Sequence, residues 1–218
     1  MTARHFLAAK RTAVKFCGIT TPQDAIAAGE AGADAVGMVF YPLAKVAIDA
    51  EAGGEIMRAL PPPVCGVALF VNADAGRVRD IINIVRPHLL QFHGDEDAAF
   101  CTSFGLPYLK ACRVAAAGDI ATTCAAHPQA AAVLADNKAG GGSGRVFDWD
   151  LLPPSLPLPL VIAGGLFADN VGDAVVRFSP FAVDVSGGIA EDGDRRRKEC
   201  GKMRAFIKAV RDAENNNR

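Results

Sequence analysis

Two residues that could move protons stand where apolar runs of the chain end. Cys17 closes the run 14–17, and Asp136 closes the run 131–136. A thiol acts as a general base where a neighbouring cation favours the thiolate. A carboxyl group in a closed pocket can donate a proton near neutral pH. The pair predicts general acid–base chemistry, although a buried cysteine is often only a core residue and an aspartate often caps a loop.

Two glycine-containing segments follow later apolar runs and could hold an anion. They are Gly164-Gly165 and Ser186-Gly187-Gly188. Glycines let the backbone approach a ligand closely and direct its N–H groups at an anion. One such pair could be a tight strand exit. Two pairs after consecutive runs favour a phosphate site, which is where barrel enzymes commonly place it.

Three further polar residues lie in or beside apolar runs. Gln91 and His93 stand on either side of the end of the run 89–92, where they could line a pocket or be structural. Asp184 lies inside an apolar run, so its charge needs a partner, either as a hydrogen-bond anchor or as part of a site. Lys15 is expected on the opposite side of its strand from Cys17, so no Lys–Cys pair is inferred.

Short apolar runs alternate with longer amphipathic segments along the whole chain. The predicted strands are 14–17, 35–40, 64–70, 89–92, 108–112, 131–136, 160–163 and 182–186. The predicted helices are 22–31, 50–60, 75–85, 96–104, 116–126, 148–152, 168–177 and 195–211. The acidic run 95–97 is expected to be a solvated first helical turn.

The strands are continuously hydrophobic, as strands buried on both faces should be. Eight strand–helix units predict an α/β fold closed into a single (β/α)8 TIM barrel. The alternative is an open parallel sheet with one or two units misassigned. One domain is expected over residues 1–218, with a flexible N-terminal extension at 1–12 and a flexible tail at 214–218.

Composition limits the classes of partner. The 218 residues include 23 basic and 24 acidic side chains, so no strong field would gather nucleic acid or an acidic membrane surface. No apolar stretch approaches the length of a membrane span or a signal peptide. The six cysteines show no metal-binding spacing, and no metal is expected. These features favour a reduced cytoplasmic protein.

Several segments in order along nearly the whole chain resemble the phosphoribosylanthranilate isomerase family of tryptophan biosynthesis. Each segment is weak alone, and together they are specific. They are residues 15–20, 32–37, 90–96, Asp136, 141–144, 147–149, 163–166, 169–171 and 184–186.

The resemblance implies an Amadori rearrangement of N-(5-phosphoribosyl)anthranilate to an aminoketose phosphate, with no cofactor. It implies that Asp136 protonates the ring oxygen and that Cys17 removes the C2 proton. The expected partner is a small phosphorylated substrate, with neither nucleic acid nor membrane, and the chain is expected to be a monomer or a homodimer. The expected substrate-binding residues are Gly164, Gly165, Ser186, Gly187, Gly188, Gln91, His93, Asp184 and Lys45.

The chain departs from the family pattern where the substrate should be held. The family's arginine for the anthranilate carboxylate is replaced by Val46, and the adjacent Lys45 could substitute only as a point charge. After Ser186 one hydroxyl is lost, and Ala190 occupies a usual glutamate position. The glycine loop after Asp136 also differs. Two alternatives therefore stay open: a related phosphosugar isomerase or epimerase, and a phosphate-binding barrel with impaired catalysis.

Overall fold

A computed structural model describes residues 6–7, 11–137 and 148–216. Eight parallel strands form a closed barrel in which each strand pairs with the next in sequence and the last with the first. The predicted (β/α)8 barrel is therefore confirmed. The strands are β1 (Ala13–Cys17), β2 (Ala35–Val39), β3 (Cys65–Phe70), β4 (Leu89–Phe92), β5 (Tyr108–Val114), β6 (Ala132–Asn137), β7 (Leu160–Ile162) and β8 (Ala182–Val185).

Helices separate most of the strands. They are α1 (Pro22–Ala31), α2 (Ala50–Ala59), α3 (Ala75–Val85), α4 (Ala98–Thr102), α5 (Asp119–Ala126), α6 (Val171–Phe178) and α7 (Cys200–Asn216). Between β6 and β7 the described residues hold a 3-10 turn at Trp149–Leu151, where the sequence suggested a short helix at 148–152. A second 3-10 turn, Gly187–Ile189, follows β8.

Local signals explain most element boundaries. The hydroxyl of Thr21 accepts a hydrogen bond from the backbone N–H of Asp24 at the start of α1, as an N-cap should. Gly32 ends α1 in the left-handed region at φ 99°, which favours glycine. Asp97 caps α4, which begins two residues later than predicted, and accepts from the N–H of Phe100.

The strand residues alternate between two buried clusters. Ala13 belongs to an inner cluster of strand residues, whereas Val14 and Phe16 join the larger cluster that packs the strands against the helices. By the same alternation Lys15 and Cys17 both point into the barrel. The expectation that Lys15 lies opposite Cys17 was wrong, because both faces of β1 are buried and hydrophobicity alone does not distinguish them.

The last predicted helix begins too early. Residues Asp194–Lys198 form a strand, β10, which pairs antiparallel with β9 (Ala190–Glu191), and helix α7 starts only at Cys200. This β9–β10 hairpin folds over the carboxyl-terminal end of the barrel, where Thr20 of the loop after β1 donates to the carbonyl of Arg196. The charged run 194–198 lacks the apolar alternation of an ordinary strand, so hydrophobicity does not identify it as one.

Both ends of the described chain contact the barrel. Phe6 is buried in the inner cluster and packs edge-on against Phe181, with ring centroids 5.3 Å apart. Helix α7 continues to Asn216, and Glu214 accepts from the backbone N–H of Thr12. These contacts hold Phe6, Thr12 and Glu214 against the barrel, whereas the flexibility expected at 1–12 and 214–218 stays a prediction. None of the described helices combines the length and apolar character that a membrane crossing requires.

Candidate active site

Cys17 stands at the carboxyl end of β1 beside a buried ion pair. Lys15, two residues earlier, donates to Oδ1 of Asp184 on β8 at 2.8 Å, and all three side chains are buried. The two strands pair directly at Lys15 and Asp184. Asp184 is therefore the anchor of Lys15, one of the two roles that its position in the sequence allowed.

Gly37 of β2 leaves the space that this cluster occupies. A Cβ atom there would lie 2.9 Å from Sγ of Cys17 and 3.0 Å from Nζ of Lys15. Since real Cβ atoms do not approach so closely, any side chain at this position would displace the thiol or the ammonium group. The absence of a side chain at Gly37 thus allows Lys15 and Cys17 to lie close together.

Opposing effects act on the thiol of Cys17. Burial raises its pKa most, the Lys15 ammonium group lowers it, Asp184 raises it, and Lys198 lowers it, with a net increase. The thiol form therefore predominates at neutral pH in the free protein. Burial lowers the pKa of Lys15, but the combined effects of Asp184 and Cys17 outweigh burial, so the net shift of the pKa is upward. Lys15 is consequently a permanent cation beside the sulfur.

Asp136, which is buried on β6, pairs with the half-buried His93. Its Oδ2 lies 3.2 Å from Nε2 of His93 in the loop after β4, and Nε2 of Gln91 lies 3.3 Å from Nδ1 of the same ring. With the amide in this orientation Nδ1 accepts, so a neutral ring carries its proton on Nε2, facing the carboxyl group. Oε1 of Gln91 is buried and has no hydrogen-bond partner among the described residues. The three residues thus form one polar chain.

The other oxygen of Asp136 is held by the backbone. Oδ1 accepts from the N–H of Asn137 at 2.7 Å. A Cβ atom on Gly164 would lie 2.6 Å from this same oxygen, and Gly164 has φ +76°. Gly164 is therefore required at this position both for its backbone conformation and for the close approach of the carboxyl group.

The two glycine segments meet between β7 and β8. A Cβ atom on Gly188 would lie 2.2 Å from the carbonyl oxygen of Leu166, so the two backbones are in direct contact. Asn170 stabilises the first loop by donating to the carbonyl of Gly165 and accepting from the N–H of Phe167. Together Gly164, Gly165, Ser186, Gly187 and Gly188 form a glycine cradle, the name used below for this set.

A buried lysine that sequence reasoning missed lies beside the cradle. Lys198, at the end of β10, donates to the carbonyls of Ser186 at 3.2 Å and Arg195 at 3.3 Å. Its Nζ would lie 3.4 Å from a Cβ atom on Gly18, directly after Cys17. Burial lowers its pKa, which the charge of a Cys17 thiolate would raise. Only the hairpin geometry brings this lysine to the site.

A second missed pair supports the His93 loop. Lys110 on β5 donates to the carbonyl of Gly94 at 2.6 Å and to Glu96 at 3.1 Å. Glu96 also accepts from the N–H groups of Asn72 and Gly94. The expectation of a solvated acidic turn was wrong for Glu96, which is buried. The pair positions the loop that carries His93.

The loop after β2 contains the two residues that depart from the family pattern. Val46 lies in a small apolar cluster with Cys17, and its Cγ2 would be 3.0 Å from a Cβ atom on Gly18. Lys45 is exposed, and its ammonium group makes no hydrogen bond or ion pair within the described part of the chain. Nη1 of Arg196 donates to the carbonyl of Ala47 at 3.0 Å and lies 3.5 Å from that of Lys45. The structure therefore brings an arginine, unforeseen from the sequence, to this loop.

The remaining predicted features are placed as follows. The glycine loop at 140–144 lies outside the described residues. Among the residues that are described, no group of three His, Cys, Asp or Glu side chains is arranged to hold a metal ion. The thiol of Cys17 and the carboxyl group of Asp136 stand on β1 and β6, and the glycine cradle occupies the two strand ends between them.

The fold and the site define a (β/α)8-barrel protein whose candidate acid and base flank a glycine cradle at the carboxyl ends of the strands, the face that carries barrel active sites. The sequence model of N-(5'-phosphoribosyl)anthranilate isomerase matches residues 14–209. The chain belongs to this family.

Individual relatives agree. The N-(5'-phosphoribosyl)anthranilate isomerase of Pseudomonas fluorescens strain Pf0-1 is 49% identical over 200 residues, which cover 90% of this chain and 97% of that protein. The crystal structure of the Thermotoga maritima enzyme is 36% identical with a TM-score of 0.84, covering 92% of this chain and 99% of that one. A structure of the isomerase with reduced 1-(o-carboxyphenylamino)-1-deoxyribulose 5-phosphate is 32% identical with a TM-score of 0.78, with the same coverage.

Proposed function

We infer that this chain isomerises N-(5'-phosphoribosyl)anthranilate to 1-(2-carboxyphenylamino)-1-deoxyribulose 5-phosphate in tryptophan biosynthesis. The observation that carries the inference is the strand order β6–β7–β8–β1, because it places Asp136 and Cys17 on either side of the glycine cradle. A sugar phosphate held in the cradle would have its reacting carbons between the two groups. The comparisons give no support to a different phosphosugar reaction.

Asp136 is the general acid of the proposed mechanism. It protonates the furanose ring oxygen, the C1–O bond breaks, and the nitrogen lone pair forms a Schiff base at C1. The side chain must hold a proton before this step. His93 at 3.2 Å is placed to exchange that proton with Asp136, and the N–H of Asn137 fixes the orientation of the carboxyl group.

Cys17 is the general base of the second step. Its thiolate removes the proton from C2. The electron pair of the C–H bond forms the C1–C2 double bond of an enolamine, and the π electrons of the C1–N double bond return to nitrogen. Tautomerisation then gives the ketone at C2 and a proton at C1, so no net oxidation or reduction of the molecule occurs. The permanent charge of Lys15 and the nearby Lys198 favour the thiolate against the effect of burial.

The glycine cradle and Gln91 hold the substrate in this proposal. The backbone N–H groups of the glycine cradle, with the hydroxyl of Ser186, bind the phosphate. Gln91 is suited to a substrate hydroxyl, because its Oε1 is buried and otherwise unpaired among the described residues. Asp184 acts through Lys15, so it positions a charge rather than contacting the phosphate.

The activity is tested by following the fluorescence of the anthranilate group as substrate is consumed. Cys17→Ser and Asp136→Asn should each lower kcat by roughly 100-fold or more, the usual contribution of acid–base groups. Both variants should still bind the reduced product in calorimetry. Cys200→Ser and Asp173→Asn, exposed residues of the same types, are matched controls. No turnover by the wild-type protein, or full activity in both site variants, would refute the proposal.

Assembly and compartment are also proposed. Another relative is described as a mutually generated monomer of the dimeric isomerase from Thermotoga maritima. We keep a monomer or a homodimer as the proposal for this chain, to be decided by light scattering on the purified protein. All six cysteines are free thiols, which supports the reducing cytoplasm as its compartment.

A further inference from the structure

We propose that Arg196, on the β9–β10 hairpin, binds the carboxylate of the substrate's aryl group. The inference rests on the proposed function, since it assigns one end of that substrate. The molecule has two anionic ends, a phosphate on the sugar and a carboxylate on the aromatic ring. The glycine cradle accounts for the first end only, and the second requires a cation on the opposite side of the reacting carbons.

The position of the aryl ring follows from the strand order. With the phosphate at β7 and β8 and C2 beside Cys17 on β1, the ring must lie beyond β1, over the ends of β2 and β3. An apolar shelf is present there. It consists of Val39, Leu69, Tyr41, Val46 and Val71, clustered with Cys17. A benzene ring can pack on such a surface, but its carboxylate cannot remain there without a charged partner.

Arg196 is the cation that the fold places at the edge of this shelf. Its Nη1 donates to the carbonyl of Ala47, next to Val46, at 3.0 Å. Its own carbonyl accepts from the hydroxyl of Thr20 at 2.7 Å, which joins the hairpin to the loop after β1. The guanidinium group and the backbone carbonyl of Arg196 are therefore both held by hydrogen bonds, so less conformational freedom is lost when a ligand binds.

The guanidinium group retains the donors that a carboxylate needs. Nη1 donates to the backbone carbonyls of Ala47 and Lys45, whereas Nε and Nη2 have no acceptor among the described residues. These two nitrogens form one edge of the planar fork, which matches the two oxygens of a carboxylate. Arg196 on β10 can therefore bind a carboxylate through two parallel hydrogen bonds. The family's arginine position, occupied here by Val46, lies instead in the loop after β2.

The other cations of this region are less suitable. Lys198 is buried and donates to the carbonyls of Ser186 and Arg195, on the cradle side of Gly18. Lys45 and Arg196 are both exposed, but Lys45 is held by no contact within the described ranges, so ordering its long side chain would cost most of what a point charge contributes. Arg197 is exposed as Arg196 is, but its Nε already pairs with a carboxylate, that of Glu191, at 3.4 Å.

The test compares Arg196→Ala with Arg197→Ala, since both remove one positive charge from the same strand. Arg196→Ala should raise KM roughly 10- to 100-fold with kcat little changed, the usual loss of a charge-assisted hydrogen bond. Arg197→Ala should change KM less than about twofold, as expected for an exposed pair. Arg196→Gln, which keeps an amide donor for Ala47, should resemble the alanine variant if the carboxylate is the ligand.

A second measurement separates recognition from a structural role. The reduced product and its analogue with hydrogen in place of the carboxyl group are titrated into each protein by calorimetry. Wild type should prefer the carboxylated ligand, and Arg196→Ala should lose that preference while binding the analogue as wild type does. Equal loss for both ligands, or equal effects of Arg196→Ala and Arg197→Ala, would overturn the assignment. Absence of wild-type turnover would instead refute the proposed function.

Discussion

Replacing Gly37 with alanine tests whether the thiol of Cys17 must occupy its observed position. The substitution introduces one methyl group and no backbone strain, because Gly37 is absent from the residues with positive φ. The new Cβ would lie 2.9 Å from Sγ of Cys17 and 3.0 Å from Nζ of Lys15. Non-bonded heavy atoms are most stable at about 3.5–4.0 Å, so the sulfur must move by roughly 0.6–1.1 Å.

Lys15 cannot absorb this displacement. Its side chain is fully buried and its ammonium group is held by Asp184 at 2.8 Å. The thiol of Cys17 therefore moves, and a shift of about 1 Å in a reacting group can lower kcat by roughly 100-fold. Overpacking of this kind also destabilises the fold by about 1–3 kcal/mol.

The assay is kcat from the fluorescence of the anthranilate group, together with the midpoint of thermal unfolding. Gly172→Ala is the matched control: in helix α6, its Cβ would lie 3.7 Å from Cβ of Ala213, an ordinary contact. That variant should keep full activity and gain up to about 1 kcal/mol of stability from its helix propensity. Wild-type kcat in Gly37→Ala would refute the argument that the position of Cys17 determines the rate.

Three further outcomes are expected. The value of kcat/KM should rise with pH across the neutral range, because the base must be a thiolate and burial raises the pKa of Cys17. Lys198→Met should move this rise to higher pH, because the charge of Lys198 lowers the pKa of Cys17. An unmoved pH profile would contradict the role of Lys198. Lys110→Met should lower the free energy of unfolding in urea by about 3–5 kcal/mol by leaving Glu96 buried without its cation, and a loss below about 1 kcal/mol would count against it. Burial lowers the pKa of His88, whose Nδ1 accepts from a backbone N–H; stability should therefore be complete above pH 6.5, its ordinary value, and fall at lower pH, and His88→Gln should weaken that dependence in thermal unfolding.

Much of the fold and part of the site could be predicted from the sequence. The eight apolar runs indicated the barrel strands, since strands buried on both faces need continuous hydrophobicity and the connecting helices carry their own caps, such as Thr21. Strand ends then indicated Cys17, Asp136 and the glycine cradle, because parallel strands of a barrel bring all their carboxyl ends to one face. These are consequences of order along the chain.

The tertiary structure alone decided which side chains meet there. Lys15 and Asp184 are 169 positions apart and Lys110 and Glu96 are 14 apart, and nothing local in the sequence specifies either pair. The direction of a side chain on a fully buried strand is likewise undetermined by hydrophobicity. Arg196 came to the loop after β2 only because a charged segment formed a hairpin, held by long-range hydrogen bonds that no local propensity encodes. Order along the chain thus placed the candidate acid and base, whereas the ion pairs beside them depended on how distant segments pack.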